Sequence, residues 1–103
     1  MANKPPLVRI VRMTFLPEKI EDFLAIFEAS KHKIRDFDGC QHLELLRDES
    51  LPNVFITYSL WENADALDTY RQSALFKETW AKTKVLFADK PMAFSAVPLG
   101  VVG

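Results

Sequence analysis

NVFITYSLWENADALDTYRQSALFKETW, from Asn53 to Trp80, decides how this chain folds. Its first part sends Val54, Ile56, Tyr58 and Leu60 to one side and Phe55 and Trp61 to the other. A stretch apolar on both sides reads as a strand, Val54–Trp61, buried on two faces. Asn63 then offers a helix cap with Asp65 in the first turn, so Ala64–Tyr70 reads as a short helix. Ser73 caps a longer one, in which Phe76, Trp80, Thr83 and Phe87 recur at helical spacing. Both tryptophans, both tyrosines and two of the eight phenylalanines fall in this stretch. The wall of any small-molecule site belongs here.

Working outward, Cys40–Arg47 reads as a strand with Leu43 and Leu45 on one face and His42, Glu44 and Leu46 on the other. The Asp48–Asn53 turn is short enough to join it to Val54–Trp61 as a hairpin, and Pro52 cannot donate to a ladder. Leu7–Phe15 is a further strand with apolar residues on both faces, Leu7, Val11, Met13 and Phe15 against Val8 and Ile10. Pro17 suits the first turn of a helix that puts Ile20, Phe23, Leu24, Phe27 and Ile34 on one side and stops at Asp38-Gly39. Asp89-Lys90-Pro91 ends the last helix, and Met92–Leu99 reads as an edge strand because of Pro98. Residues 1–6, with Pro5 and Pro6, read as a lead-in, and residues 7–103 as a single domain.

Strand, helix, strand, strand, helix pair, strand is the order of an α+β, ferredoxin-like fold: a four-stranded antiparallel sheet with helices on one face and the first and third strands central. Helices on one side leave the other side bare, yet the central strands are apolar on both. The area left open exceeds what a soluble monomer ordinarily exposes, so a homodimer through the sheet faces is expected. The alternative is a helix on the far face.

The bulk figures exclude several classes. Forty-nine per cent apolar and twelve per cent aromatic residues supply a core and argue against disorder. A net charge of −1 with mixed signs leaves no basic stripe, so no nucleic-acid partner is expected. No apolar run approaches the ~20 residues of a membrane span, so no membrane partner is expected either. The single Cys40 precludes an internal disulfide, and His32 and His42 are too far apart for a paired helical ligand motif, so no metal is expected. MANKPP lacks the apolar core of a secretion signal, and the expected location is cytoplasmic.

Three stretches, DGCQHLELLRD (Asp38–Asp48), YSLWENADALDTYRQSALFKETW (Tyr58–Trp80) and KPMAFS (Lys90–Ser95), together resemble the antibiotic biosynthesis monooxygenase domain. This is the dimeric α+β barrel group that includes quinol monooxygenase-like proteins. The resemblance spans Leu7 to about Pro98, and its most specific part is the tryptophan closing a strand, then an acid, an alanine-rich helix and a Ser-x-x-Phe-Lys step. It implies face-to-face sheets in a dimer and an apolar pocket between sheet and helices. It further implies a cofactor-independent monooxygenase in which an electron-rich quinol-like or polyphenolic substrate itself reduces oxygen. No cofactor is then expected. The chain departs from the family in two ways. Histidines of many members align with Tyr70 and Leu75, and the asparagine, tryptophan and histidine of the haem-degrading branch align with Val11, Tyr70 and Trp80. Haem degradation is therefore not expected. Isomerisation of a small polar metabolite and a non-catalytic dimeric ligand-binding or stress-related module are the alternatives.

The candidate catalytic residues are His42 and Tyr70. His42 has an imidazole suited to general-base work near neutrality, with Glu44 on its face to orient it, against a plain role on a solvated or dimer-contact surface. Tyr70 and Tyr58 carry phenols that can donate to a developing oxyanion, against the reading of satisfied structural tyrosines. Candidate substrate-binding residues are Tyr58, Trp61, Phe76, Trp80 and Arg9. The tryptophans are equally explained as core. Arg9 and Arg12 sit on opposite faces of a central strand, where a charge needs a partner: an acid such as Glu44, or an anionic oxygen in the pocket. Cys40 reads as a small buried residue and His32 as a surface one.

Overall fold

The computed structural model describes residues 4–103. Eight segments follow in order: β1 (Leu7–Thr14), a 3-10 turn (Pro17–Lys19), α1 (Ile20–Arg35), β2 (Cys40–Arg47), β3 (Val54–Trp61), α2 (Ala64–Arg71), α3 (Ala74–Lys84) and β4 (Met92–Ala96). The four strands form one sheet in the order β2-β3-β1-β4, every neighbouring pair antiparallel. This is the ferredoxin-like α+β arrangement, with β1 and β3 central. Part of the lead-in, residues 1–3, lies outside the described residues; Lys4–Pro6 are exposed and irregular, and Lys4 pairs with Asp65.

Both helix caps act as the sequence suggests. The Asn63 side chain accepts from the Ala66 amide at 2.9 Å and Ser73 Oγ from the Phe76 amide at 3.1 Å. Ser73 Oγ also donates to the Tyr70 carbonyl at 2.6 Å, so one hydroxyl closes α2 and opens α3. Two strand ends are shorter than the pattern suggests. Phe15 leaves the ladder to form an isolated bridge with Phe87, which itself lies beyond the end of α3. β4 stops at Ala96, and Val97, Leu99, Val101 and Val102 are exposed.

All three helices lie against one face of the sheet. Odd-numbered residues of β1 and β3 point to them and build two apolar clusters. One joins Met13, Phe15, Phe23, Phe55 and Leu86; the other joins Ile34, Cys40, Trp61, Leu67 and Tyr70. Cys40 belongs to the second cluster only because β2 carries a bulge between Cys40 and His42. Strict alternation would put Cys40 beside His42; the extra residue turns it inward while His42 stays outward. The opposite face, with Ile10, Ile56, Tyr58, Leu60, Leu46, Met92 and Phe94, carries no helix. Leu46 is 41%, Met92 60% and Phe94 54% exposed there.

Gly39 sets how closely α2 approaches the sheet. Its φ is +86°, its carbonyl accepts from the Glu62 amide at 2.8 Å, and a Cβ built on it would meet the Ala66 Cβ at 2.5 Å. The turn is thus required both for its left-handed backbone and for the absence of a side chain. Gly39→Ala is expected to cost at least about 1–2 kcal/mol, from the backbone alone before the overlap with Ala66 is added. Urea denaturation of the two proteins measures it, and an unchanged midpoint would refute the role given to this turn.

Candidate functional site

Between the sheet and the helices lies a cavity of about 350 Å³. The sheet contributes Arg9, Val11 and Met13 from β1, Thr57, Ser59 and Trp61 from β3, Leu43 from β2 and Ala93 from β4. Facing them are Phe23, Ile26, Phe27, Ser30 and Ile34 of α1, Leu67, Tyr70 and Arg71 of α2, and Phe76, Thr79, Trp80 and Thr83 of α3. The volume is at the small end of the ~300–1,000 Å³ usual for small-molecule sites, and suits a compact, few-ringed molecule.

An aromatic wall runs along it. Trp61 and Tyr70 stack at 4.9 Å between centroids, Phe76 meets Tyr70 edge-on at 5.3 Å, and Phe76 lies parallel to Trp80 at 5.9 Å. Trp61 is almost wholly buried, and its indole nitrogen donates to Ser59 Oγ at 3.0 Å. Core and pocket wall are therefore one role for this residue: its ring is packed, and one edge of the packing is the cavity. Tyr70 differs. Among the described residues its hydroxyl makes no hydrogen bond, and no fully buried side-chain polar atom lacks a partner, so that hydroxyl retains access to open space.

Among the described residues, the ionisable side chains lining the cavity are Arg9, Arg71 and Tyr70, with no carboxylate or imidazole. Arg9 donates to Ser95 Oγ at 3.1 Å and forms no ion pair among the described residues. The partnership with Glu44 offered by the sequence is ruled out by side-chain direction, since Glu44 is on the far face.

The family model for antibiotic biosynthesis monooxygenase matches residues 6–82. The chain belongs to that family. It is 30% identical over 83 residues to an uncharacterised protein of Synechocystis sp., covering 81% of this chain but only 56% of that protein, so it spans little more than half of this relative's length. Among solved structures it resembles a candidate antibiotic biosynthesis monooxygenase of Caulobacter crescentus (TM-score 0.88, 19% identity, 94% of this chain and 92% of that one). It also resembles one of Nitrosomonas europaea (TM-score 0.88, 14% identity, 100% and 99%) and a protein of Mycobacterium tuberculosis (TM-score 0.87, 20% identity, 95% and 99%). These likenesses establish the shared fold.

Within this monooxygenase-family fold, the cavity brings together Arg9, Trp61, Tyr70, Phe76 and Trp80. It does not include His42 or Tyr58. Both project from the opposite face, where the rings meet edge-on at 5.8 Å and His42 Nε2 lies 3.0 Å from Glu44 Oε1. The orienting carboxylate is thus present, but the imidazole is separated from the cavity by the sheet itself. Arg71 is not among the residues the sequence singles out, although Leu67, Tyr70 and Arg71 fall at helical spacing on one side of α2. Among the described residues no three of histidine, cysteine, aspartate and glutamate are grouped as a metal site. Among the described residues no helix is long and apolar enough to cross a membrane either.

Burial pushes the Tyr70 phenol up to about 12, with nearby Cys40 adding to the effect. At neutral pH it is a hydrogen-bond donor and not a base. Burial likewise raises the Cys40 thiol, which fits a packed residue and not a nucleophile. Because the Tyr70 value in the folded protein exceeds the ordinary ~10 of an unfolded chain, its contribution to stability is complete below pH ~10 and is lost as pH rises towards 12. Alkaline titration followed by tyrosinate absorbance should show one phenol ionising late, and Tyr70→Phe should remove that late component. A Tyr70 phenol ionising in the ordinary range would contradict the placement.

Proposed function

We propose that the protein is a cofactor-independent monooxygenase acting on a small quinol-like or polyphenolic compound held in this cavity. The observation that carries the reading is the free hydroxyl of Tyr70 on an aromatic wall inside a chamber of small-molecule size, in a chain of this family. A flat ring stacks along Trp80 and Phe76, and Tyr70 donates a hydrogen bond to its ring oxygen. Arg9 adds positive charge where the phenolate forms. In the reaction the quinol and one dioxygen give a hydroxyquinone and one water. One oxygen atom enters the ring in place of a C–H bond, the other leaves as water, and the substrate supplies all four electrons.

No side chain lining the cavity accepts a proton at neutral pH, so the first proton leaves to solvent from a phenol made more acidic by the guanidinium and the Tyr70 donor. His42, outside the cavity, takes no part as a base here. The proposal gives it, with Tyr58 and Glu44, a place in the contact between protomers. Isomerisation of a polar metabolite is the weaker reading, because such a ligand would leave the aromatic wall without a partner.

Purified protein is expected to consume oxygen with a reduced quinol in the absence of added metal or flavin. Tyr70→Phe is expected to lower kcat by roughly a hundredfold with little change in KM, as for other donors to a developing oxyanion. Absence of oxygen uptake across a broad panel of quinols would overturn the assignment.

The same proposal includes a homodimer through the open sheet face. Apolar side chains on all four strands gather there, with Met92 and Phe94 more than half exposed on one edge. A C2 pairing buries the patch against its own copy. Sedimentation should report a dimer at micromolar concentration and mainly monomer for Phe94→Glu; a monomeric wild-type protein would refute the pairing.

A further inference from the structure

The cavity described above holds two guanidinium groups and no acid. Arg9 reaches it from β1 and Arg71 from the last turn of α2, and neither forms an ion pair among the described residues. Arg71 has an independent reason for its position, since a cation suits a helix C-terminus. Arg9 has none. Its guanidinium lies on the inner face of a central strand, beside Ser59 and Ser95 in the ladder, partly open to solvent and with Ser95 Oγ as its one hydrogen-bond partner among the described residues. Burial and, after it, the charge of Arg71 both lower its pKa, so the two cations are close enough to disfavour one another.

We infer that Arg9 and Arg71 together receive the carboxylate of an aromatic acid whose ring lies along the Trp80–Phe76–Tyr70 wall. An anion between the two guanidiniums relieves their mutual repulsion and satisfies donors that the fold leaves free. A carboxylate is preferred to a neutral phenol because it is fully charged at neutral pH, whereas an unperturbed phenol is not. The polar groups then fix the ligand's direction: the acid against the arginines, the rings against the aromatic wall, and a ring hydroxyl against Tyr70. This rests on the proposed function for the location of the site and goes beyond it in naming the charge that the substrate carries.

The test compares a hydroxynaphthoate with the matching naphthol by calorimetry, in the absence of turnover. The acid is expected to bind about tenfold or more tightly than the neutral compound, the usual worth of a charged hydrogen-bonded pair. Raising the ionic strength should narrow that margin. Arg71→Gln, at an exposed helix end where folding is safe, should weaken the acid about tenfold and leave the naphthol within twofold. Arg9→Gln should do the same if it folds, and Arg71→Gln decides the matter without it. Equal affinity for both probes, or an Arg71→Gln variant that weakens both alike, overturns the inference while leaving the oxygenase reading intact. Binding of neither probe overturns both, and oxygen uptake confined to neutral quinols overturns this one alone.

Discussion

Side-chain alternation along β1 and β3 is the constraint on which everything else depends. Each residue of a central strand is committed to one of two compartments: the chamber under the helices or the open face. Residues close in the chain therefore have unrelated fates. Arg9 enters the cavity and Arg12 does not; Trp61 closes it while Leu60 faces outward. The same rule, carried through the β2–β3 hairpin, sends Leu43 inward and His42 outward. A one-residue slip in the register of either central pair would exchange the aromatic wall for the apolar face and leave neither compartment intact.

The inner compartment is kept partly empty by how α2 is held. Gly39 lets α2 come down against the start of β2, Asn63 starts it, and Ser73 stops it so that α3 can turn back at once. This places Tyr70 flat on Trp61, with Leu67 and Ile34 packed in the same cluster. At the other end of the sheet, Phe15 is completely buried among Phe23, Phe55 and Phe87, which closes the floor. The chamber lies between these two aromatic clusters. Its walls are the margins of the core, which is why Trp61 is both packed and cavity-facing.

Much of this could be read directly from the chain. The caps at Asn63 and Ser73, the stop at Gly39, the hairpin around Pro52 and the two-sided apolarity of the central strands each have a local physical cause, and together they leave one topology. The family resemblance follows from the same stretches. What could not be read was set by tertiary geometry. Alternation separates His42 from Leu43, but which of the two faces receives the helices depends on the whole sheet, so the sequence alone leaves His42 and Tyr58 in one group with Tyr70 although the sheet stands between them. The bulge that turns Cys40 inward has no marker in CQHLELLR. Arg71 was hidden because a cation at the end of a helix is ordinary; its meaning emerges only beside Arg9, which is sixty-two positions away in the chain.

The chamber's chemistry follows from what it contains and from the state of each group. Its phenol is held protonated by burial, its two guanidiniums are charged, and the rest of the described lining is apolar or aromatic with a few serine and threonine hydroxyls. Such a site cannot abstract a proton from a weak acid, but it can stabilise an anion that the ligand forms on its own, by charge from one side and a hydrogen bond from another. Under the proposed reading it favours substrates that ionise easily and are electron-rich once ionised. Those are the properties a molecule needs if it is to deliver electrons to oxygen without a bound cofactor, so on the proposed oxygenase reading a lining without an imidazole asks acidity of the substrate.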